Sequence, residues 1–425
     1  MIERVISWSM HNRFFVWLGI LFILVGGIYS AQQTPVDAIP DLSENQVIVY
    51  TEWMGRNPRI IEDQVTYPLV SNLQGIPSVK SIRAASMFGM SFIFVVFQDE
   101  EDIYWARTRV LERLNYAQRF LPPGISPTLG PDGTGLGHVY WYTLEAPGYN
   151  LGELRALQDW YIKFALQNTE GVSEVASFGG FQKRYQVNID PNKLVYYGIP
   201  LMEVTDAIAS NNRDVGGSIY EINASGYLVR GLGYITDIND IKDIAIGNYK
   251  SVPVTINDVA SVQVTGDLRF GITDLNGEGE VVGGIVISRY GENAKVVIDR
   301  VKTRIAEIEK GLPPGVKFKV AYDRSDLIEA AIATLKEALW EEILVVALVV
   351  TLFMFHLRSA AVALITIPLS ILIGFMLIHF FDISLNIMSL GGIALAIGDL
   401  VDAGIVMSEN AYKSLTNEML QSSEE

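Results

Sequence analysis

Residues 90–124 read MSFIFVVFQDEEDIYWARTRVLERLNYAQRFLPPG, and a related stretch, VVGGIVISRYGENAKVVIDRVKTRIAEIEKGLPPG, occupies 281–315. Each begins with an apolar strand-like segment, Met90–Phe97 or Val281–Ser288. Each continues into an amphipathic helix, Asp102–Phe120 or Ala294–Lys310, and closes on Leu-Pro-Pro-Gly. The shared ending predicts an internal duplication. Around the first copy lie strand Val47–Trp53, helix Arg59–Leu73, strand Val79–Ala85 and a last strand at Ile125–Leu129, which completes a β-α-β-β-α-β order. The second copy opens with strand Val139–Leu144, helix Leu151–Thr169 and a strand near Val172–Ser177, and it ends with strand Val316–Tyr322. Between its halves, Gln182–Leu275 reads as an inserted subdomain with a helix at Leu201–Ser210. Sheets with helices on one face are expected.

Composition narrows the function. The 425 residues are 49% apolar and 19% charged, with no cysteine and a net charge of −16. Such hydrophobicity excludes intrinsic disorder, and the acidic balance argues against nucleic-acid binding, which needs Lys and Arg for phosphates. Without cysteine there are no disulfides, thiolate zinc sites or Cys nucleophiles.

Phe14–Ala31 runs 18 residues without a charge, about 27 Å as a helix. It exceeds a signal-peptide core and no A-x-A site follows, so an uncleaved anchor is expected. Three further spans follow the polar block: Ile343–Phe355, Ala360–Phe381 and Ile383–Ser408. If the helices alternate, Arg4, Arg13, Arg358 and Lys413 fall on one side and Asp37, Asp41 and Asp382 on the other. The positive-inside tendency then places the N-terminus in the cytoplasm and the acidic block of about 33–338 outside.

The fourth span carries the candidate chemistry. It contains Asp399 and Asp402, with Glu409 just beyond. A carboxylate at membrane depth is costly, so it marks a functional position by default. At 100° per residue, Glu409, Met388, Gly391 and Gly398 share a face with Asp402, joining acids to small residues that let helices approach. Burial raises a carboxyl pKa and a nearby cation lowers it, so Asp402 can gain and lose a proton as its surroundings change. This is proton-relay chemistry. The plainer reading is a neutral Asp bonded to Ser or backbone. The first three spans offer no Lys or Arg as counter-ion, so that cation is expected from another segment or chain.

Several motifs carry a family resemblance: Asn386–Ala394 (NIMSLGGIA), Gly398–Asn410 (GDLVDAGIVMSEN), Thr34–Leu42 (TPVDAIPDL), Glu62–Leu69 (EDQVTYPL), Tyr104–Leu111 (YWARTRVL) and Leu275–Glu280 (LNGEGE). Together they resemble the heavy-metal efflux branch of the resistance-nodulation-division exporters, close to the Cus-type copper/silver exporters. The resemblance runs the whole chain. It implies an α+β membrane protein, with a transmembrane helical bundle plus periplasmic ferredoxin-like (split βαβ) porter subdomains and an inserted docking subdomain. The implied divisions are 1–32 (N-terminal segment and helix one), 33–134 (first porter subdomain), 135–181 with 276–330 (second porter subdomain) and 182–275 (docking subdomain). Helices two to four then occupy 331–412, and 413–425 form a cytoplasmic stub.

The resemblance further implies a homotrimeric pump of the bacterial inner membrane, driven by the proton gradient and working with a membrane-fusion adaptor and an outer-membrane channel. Family members are longer, so the chain is expected to be an N-terminal portion whose missing half supplies the relay's basic residue. Asp402 matches the relay aspartate, and Ala403 stands where multidrug relatives carry a second one, as in metal exporters. Met388 and Met407 match methionines that pass Cu(I) or Ag(I), soft ions suited to thioethers. Leu400 and Leu268 replace further methionines of the copper type, and Asp399 is unusual for it. The implied function is proton-driven efflux of heavy-metal cations, Cu(I)/Ag(I) first and the Zn/Co/Cd/Ni type next, then multidrug export. The transported ion is substrate, and neither a cofactor nor an enzymatic activity is expected.

Other signals are weaker. Met87 and Met90 lie close together with Met54 in a nearby loop, and they read as ordinary packing ahead of a thioether site. Asp132–Gly137 (DGTGLG), followed by His138, lacks a Walker lysine and reads as a glycine-rich hinge ahead of a phosphate loop. His379 is expected at an interface. An intramembrane aspartyl protease needs Gly-x-Gly-Asp, which Ala396 breaks. A membrane-anchored periplasmic sensor or receptor would share the topology, but it leaves the acidic, glycine-lined span unexplained.

Overall fold

The structure is a computed structural model. It describes residues 8–9, 11–37, 39–223, 225–269, 271–354, 357–381 and 383–396, and positions 399, 403, 406, 407, 410 and 413. Asp382, Gly398, Leu400, Asp402, Glu409 and the stub from 414 onward lie outside the described residues.

Helix α1 (Arg13–Gln33) leads in. Strand β1 (Gln46–Glu52) then enters helix α2, whose segments Pro58–Ile61 and Tyr67–Leu73 are joined by a π turn at Glu62–Thr66. Asn57 starts that helix, its side chain accepting from the Ile60 amide at 3.0 Å. Strands β2 (Val79–Met87) and β3 (Met90–Phe97) form a hairpin. Helix α3 (Ile103–Ala117) follows, capped by Asp102, which accepts from the Trp105 amide at 2.7 Å. The short strand β4 (Thr128–Leu129) closes an antiparallel sheet of order β2-β3-β1-β4. Val47, Val49, Ile93 and Val95 pack one face of it against Ile61, Leu69, Val110 and Leu114 of the helices.

The second copy repeats this plan. Strand β5 (His138–Glu145) leads to helix α4, in which Leu151–Leu157 and Lys163–Gln167 are again joined by a π turn, Gln158–Ile162. Strand β6 (Val172–Gly179) precedes the insert. There β7 (Lys183–Ile189), helices α5 (Pro191–Tyr197) and α6 (Leu201–Ser210), and β8 (Val215–Ile222) with β9 (Ser225–Gly231) are followed by β10 (Ala245–Tyr249), β11 (Val252–Thr255) and β12 (Ala260–Gly266). They form three two-stranded ribbons, β7 with β12, β8 with β9 and β10 with β11. Their own core contains Ile199, Val204, Ile246, Ile256 and Val259. Strand β13 (Val282–Ser288), helix α7 (Ala294–Glu309) and β14 (Lys317–Asp323) complete the second sheet, order β14-β5-β13-β6. Both sheets therefore have the ferredoxin-like strand order, with first and third strands central.

Helix α8 (Arg324–Met354) begins directly after β14 and continues for 31 residues, so the expected division at 330/331 falls inside one helix. Helices α9 (Leu357–Phe380) and α10 (Ile387–Ala396) follow. α9 packs closely on α1: a Cβ at Gly27 would stand 2.5 Å from the Leu372 Cβ. Among the described residues, α1 is the one helix long and apolar enough to cross a membrane, and Ile365–Phe380 and Ile387–Ala396 are shorter apolar helices.

By contact the chain separates into two units. One holds residues 1–143, 162–176 and 284–425, the other 144–161 and 177–283. The ferredoxin-like order of both copies is present. The last strand of the first copy is shorter than expected, because Pro127 has no N–H to give a neighbouring strand.

Candidate functional site

The first unit brings the ends of three helices together. At the end of α1, Thr34 Oγ1 donates to the Ser30 carbonyl at 2.7 Å and lies 3.4 Å from His379 Nδ1 on α9. The next residues run parallel to Leu385: its amide donates to the Pro35 carbonyl at 2.9 Å, and the Asp37 amide donates back to the Leu385 carbonyl at 2.8 Å. Asn386 is buried, and its Oδ1 accepts from the Met388 and Ser389 amides at 2.9 and 3.0 Å. Its own amide donates to Ser389 Oγ at 2.8 Å, a reciprocal cap that sets the start of α10. The helix that leads toward the acidic span is thus tied to the strap after α1.

Asp37 carries the connection further. Its Oδ1 is 2.9 Å from Nε of Arg324, the first residue of α8, which is 3% exposed. Arg324 Nη1 donates to the Leu136 carbonyl, while Nε, paired with Asp37 by charge alone, and Nη2 have no hydrogen-bond partner among the described residues. Beside it, Asp323 accepts from the Ser325 amide at 2.9 Å and pairs with Lys302 Nζ at 2.5 Å. Burial alone would raise the Asp323 pKa, but Lys302 and Ser325 outweigh it and hold the carboxyl below its ordinary value.

Leu136 belongs to the glycine segment expected as a hinge. A Cβ at Gly133 or Gly137 would meet the Ser288 carbonyl at 2.9 or 3.0 Å, so only glycine lets this segment lie against the end of β13. Asp132 accepts a short hydrogen bond from Ser173 Oγ, sits 3.6 Å from Arg289 and accepts from Tyr104 at 3.3 Å. Burial pushes its pKa up; Ser173, Arg289 and Arg107 overcome that and leave it lowered. Burial and the Asp132 charge push Tyr104 up. A cavity of about 680 Å³ opens among these elements, lined by Asp37, Asp41, Thr134, Arg289, Glu292 and His379. Its lining carries both signs of charge and a histidine.

The residues expected from sequence fall as follows. Met388 lies in the first turn of α10, and Met388, Met407 and Asp399 are exposed in this chain. Asp402 and Glu409 lie outside the described residues. Among the described residues, no three His, Cys, Asp or Glu side chains gather as a metal cluster. The strap contacts were missed from sequence. Asn386 followed by Ser389 is a capping pattern that local reading could have found. Arg324 has no such local signal, because its partner is distant in the chain.

The chain has extensive similarity to known proteins. It is 48% identical over 418 residues to the cation efflux system protein CusA of Escherichia coli strain K12, covering 98% of this chain and 40% of that protein. It is also 48% identical to the putative cation efflux system protein SilA of Salmonella typhimurium, with the same coverage. The cobalt-zinc-cadmium resistance protein CzcA of Cupriavidus metallidurans is 36% identical over 98% of the chain and 40% of that protein. The chain thus spans about 40% of the length of these relatives. A crystal structure of a heavy metal efflux pump superposes with a TM-score of 0.88 at 34% identity, over 99% of this chain and 42% of that one. The family model for AcrB/AcrD/AcrF matches residues 5–425, and the chain belongs to that family of resistance-nodulation-division pumps.

Proposed function

We propose that the chain is the N-terminal part of a proton-driven antiporter that exports heavy-metal cations across the bacterial inner membrane. The observation that carries this reading is the duplicated split βαβ architecture, joined at Arg324 to a long helix, in a chain 48% identical to a cation efflux protein. Helix one and helices two to four form a transmembrane bundle, residues 33–134 and 135–181 with 276–330 form porter subdomains, and 182–275 form a docking subdomain. Asp402 relays protons, with Asp399 and Glu409 beside it, and its cationic partner comes from the second half of the pump. Met388 and Met407 supply thioethers to a path for Cu(I) or Ag(I). Protonation near Asp402 moves the helix begun at Asn386, and the strap of Pro35–Asp37, Arg324 and Leu136 passes that movement to the glycine hinge.

The assembled pump is a homotrimer with an adaptor and an outer-membrane channel. Exposure along the whole of β8 and β9, including Ile219, Tyr220, Tyr227 and Leu228, favours a protein partner for the insert. Asp399 favours harder ions and keeps the Zn/Co/Cd/Ni type as the second reading. The test is resistance of an exporter-deficient strain to Cu, Ag, Zn, Cd, Co and Ni, carrying the full-length pump or its Asp402→Asn variant. The expected result is Cu and Ag resistance that disappears in the variant while expression and trimer formation persist. Undiminished resistance of the variant would overturn the relay.

A further inference from the structure

Three of the chain's 11 methionines, Met54, Met87 and Met90, lie at one end of the first sheet. Met87 and Met90 are the closing pair of the β2–β3 hairpin. Directly paired residues point to the same sheet face, with Cβ atoms about 5 Å apart. Glu52 pairs with Met90 from the other side, so Met87, Met90 and Glu52 form one row across three strands. The buried positions of these strands, Thr51 and Ser91 among them, alternate with this row and face the helices, which leaves the row on the open face. The hairpin turns through Phe88-Gly89, where Gly89 has a φ of +72°, as the third position of a type II turn requires.

The third methionine is held over that turn. The Trp53 amide donates to the Gly89 carbonyl at 2.7 Å, and the Gly89 amide donates to the Arg56 carbonyl at 2.9 Å. These two bonds pin the 53–56 loop onto the hairpin, and a Cβ at Gly89 would stand 3.0 Å from Met54 Sδ. Arg56, the nearby cation, is stacked on Trp53 with its guanidinium 4.9 Å from the ring.

Packing does not account for Met54 and Met87, while Met90 between them is half-buried. Met54 is 55% and Met87 51% exposed, whereas a gap-filling methionine would be enclosed. Thioethers are neutral soft donors that need no deprotonation, and three of them with one carboxylate nearby match a soft, singly charged ion. Each side chain has three rotatable bonds, so the sulfurs can converge while the backbone stays in place.

We infer that Met54, Met87 and Met90 form a binding site for one Cu(I) or Ag(I) ion at the tip of the β2–β3 hairpin, with Glu52 balancing its charge. The site rests on the efflux reading for the source of its metal; its chemistry stands on the hairpin alone. The experiment titrates silver nitrate into the full chain in detergent and chloride-free buffer, following ¹³C-labelled methionine methyl resonances assigned with single Met→Leu variants. The three methyls are expected to shift together and saturate at one common equivalent. Met54→Leu should weaken the response of the other two about tenfold or more. Zinc sulfate should leave them in place. Resonances that stay put, saturate separately or move as far with zinc would overturn the site. Met388 and Met407 report in the same spectra, so failure of the proposed membrane path is read separately from failure at the hairpin.

Discussion

At Arg324 the chain encloses a guanidinium whose near partners are the Asp37 carboxylate and the Leu136 carbonyl. Arg324→Ala would leave that carbonyl without its donor, while Asp37, partly open to water, can rehydrate. The expected cost is about 1–3 kcal/mol, read as a lower melting midpoint of the chain in detergent, with Arg324→Lys losing less because the charge remains. An unchanged midpoint for Arg324→Ala would show that the contact is energetically idle. Asp132 and Asp323 make a pH-dependent contribution. Both have a folded pKa below the ordinary 3.8, so the folded state holds its proton less tightly than the unfolded chain. Their stabilisation is complete above 3.8 and drains away as the pH falls through the lowered folded values. Asp323→Asn should therefore be destabilising at neutral pH and make acid unfolding shallower, as followed by circular dichroism. A wild-type acid limb in the variant would contradict the assignment. These residue-scale contacts were scarcely legible in the sequence, since Asp37, Leu136 and Arg324 come from separate segments and no period or spacing links them.

At the scale of elements the sequence was far more open. Met90–Phe97 and Leu201–Ser210 have the bounds their patterns predict, because an apolar run and an amphipathic turn are local signals. The two π turns at Glu62–Thr66 and Gln158–Ile162 were invisible, since one added residue per turn leaves the apolar pattern nearly intact. Their matching places, in the helix after the first strand of each copy, extend the duplication beyond the Leu-Pro-Pro-Gly ending. Helix contacts were only partly legible: small residues in α1 hint at close approach without naming the neighbour. The structure pairs Gly27 with Leu372, where an added Cβ would lie 2.5 Å from another Cβ, whereas Gly19 has nothing within 4 Å. Gly27→Ala should thus force α1 and α9 apart and cost about 1–3 kcal/mol, with Gly19→Ala as the neutral control in the same thermal melts. Equal midpoints for the two variants would mean that the helices yield without cost.

On the scale of the whole molecule, β8 and β9 form a ribbon exposed along its full length, though it carries Ile219, Tyr220, Tyr227, Leu228 and Val229. A lone two-stranded ribbon is at best marginally stable in water, and exposed apolar surface of this kind marks a contact with another protein. The proposed homotrimer would supply that cover from a second copy of the pump. Sequence alone gave little warning, because consecutive apolar residues such as Ile219-Tyr220 and Tyr227-Leu228-Val229 usually mean a buried strand. The consequence separates folding from assembly. Replacing Tyr227 and Leu228 together by Glu places charge where the partner must dehydrate it, and within the chain it touches only the exposed cross-strand pairs with Tyr220 and Ile219. The 425-residue chain should then lose only about 1 kcal/mol in stability, the worth of two exposed cross-strand pairs. The full-length pump carrying the same pair should lose its trimer in native mass spectrometry, and metal resistance should fall with it. A trimer that survives both glutamates would leave the ribbon outside the subunit interface.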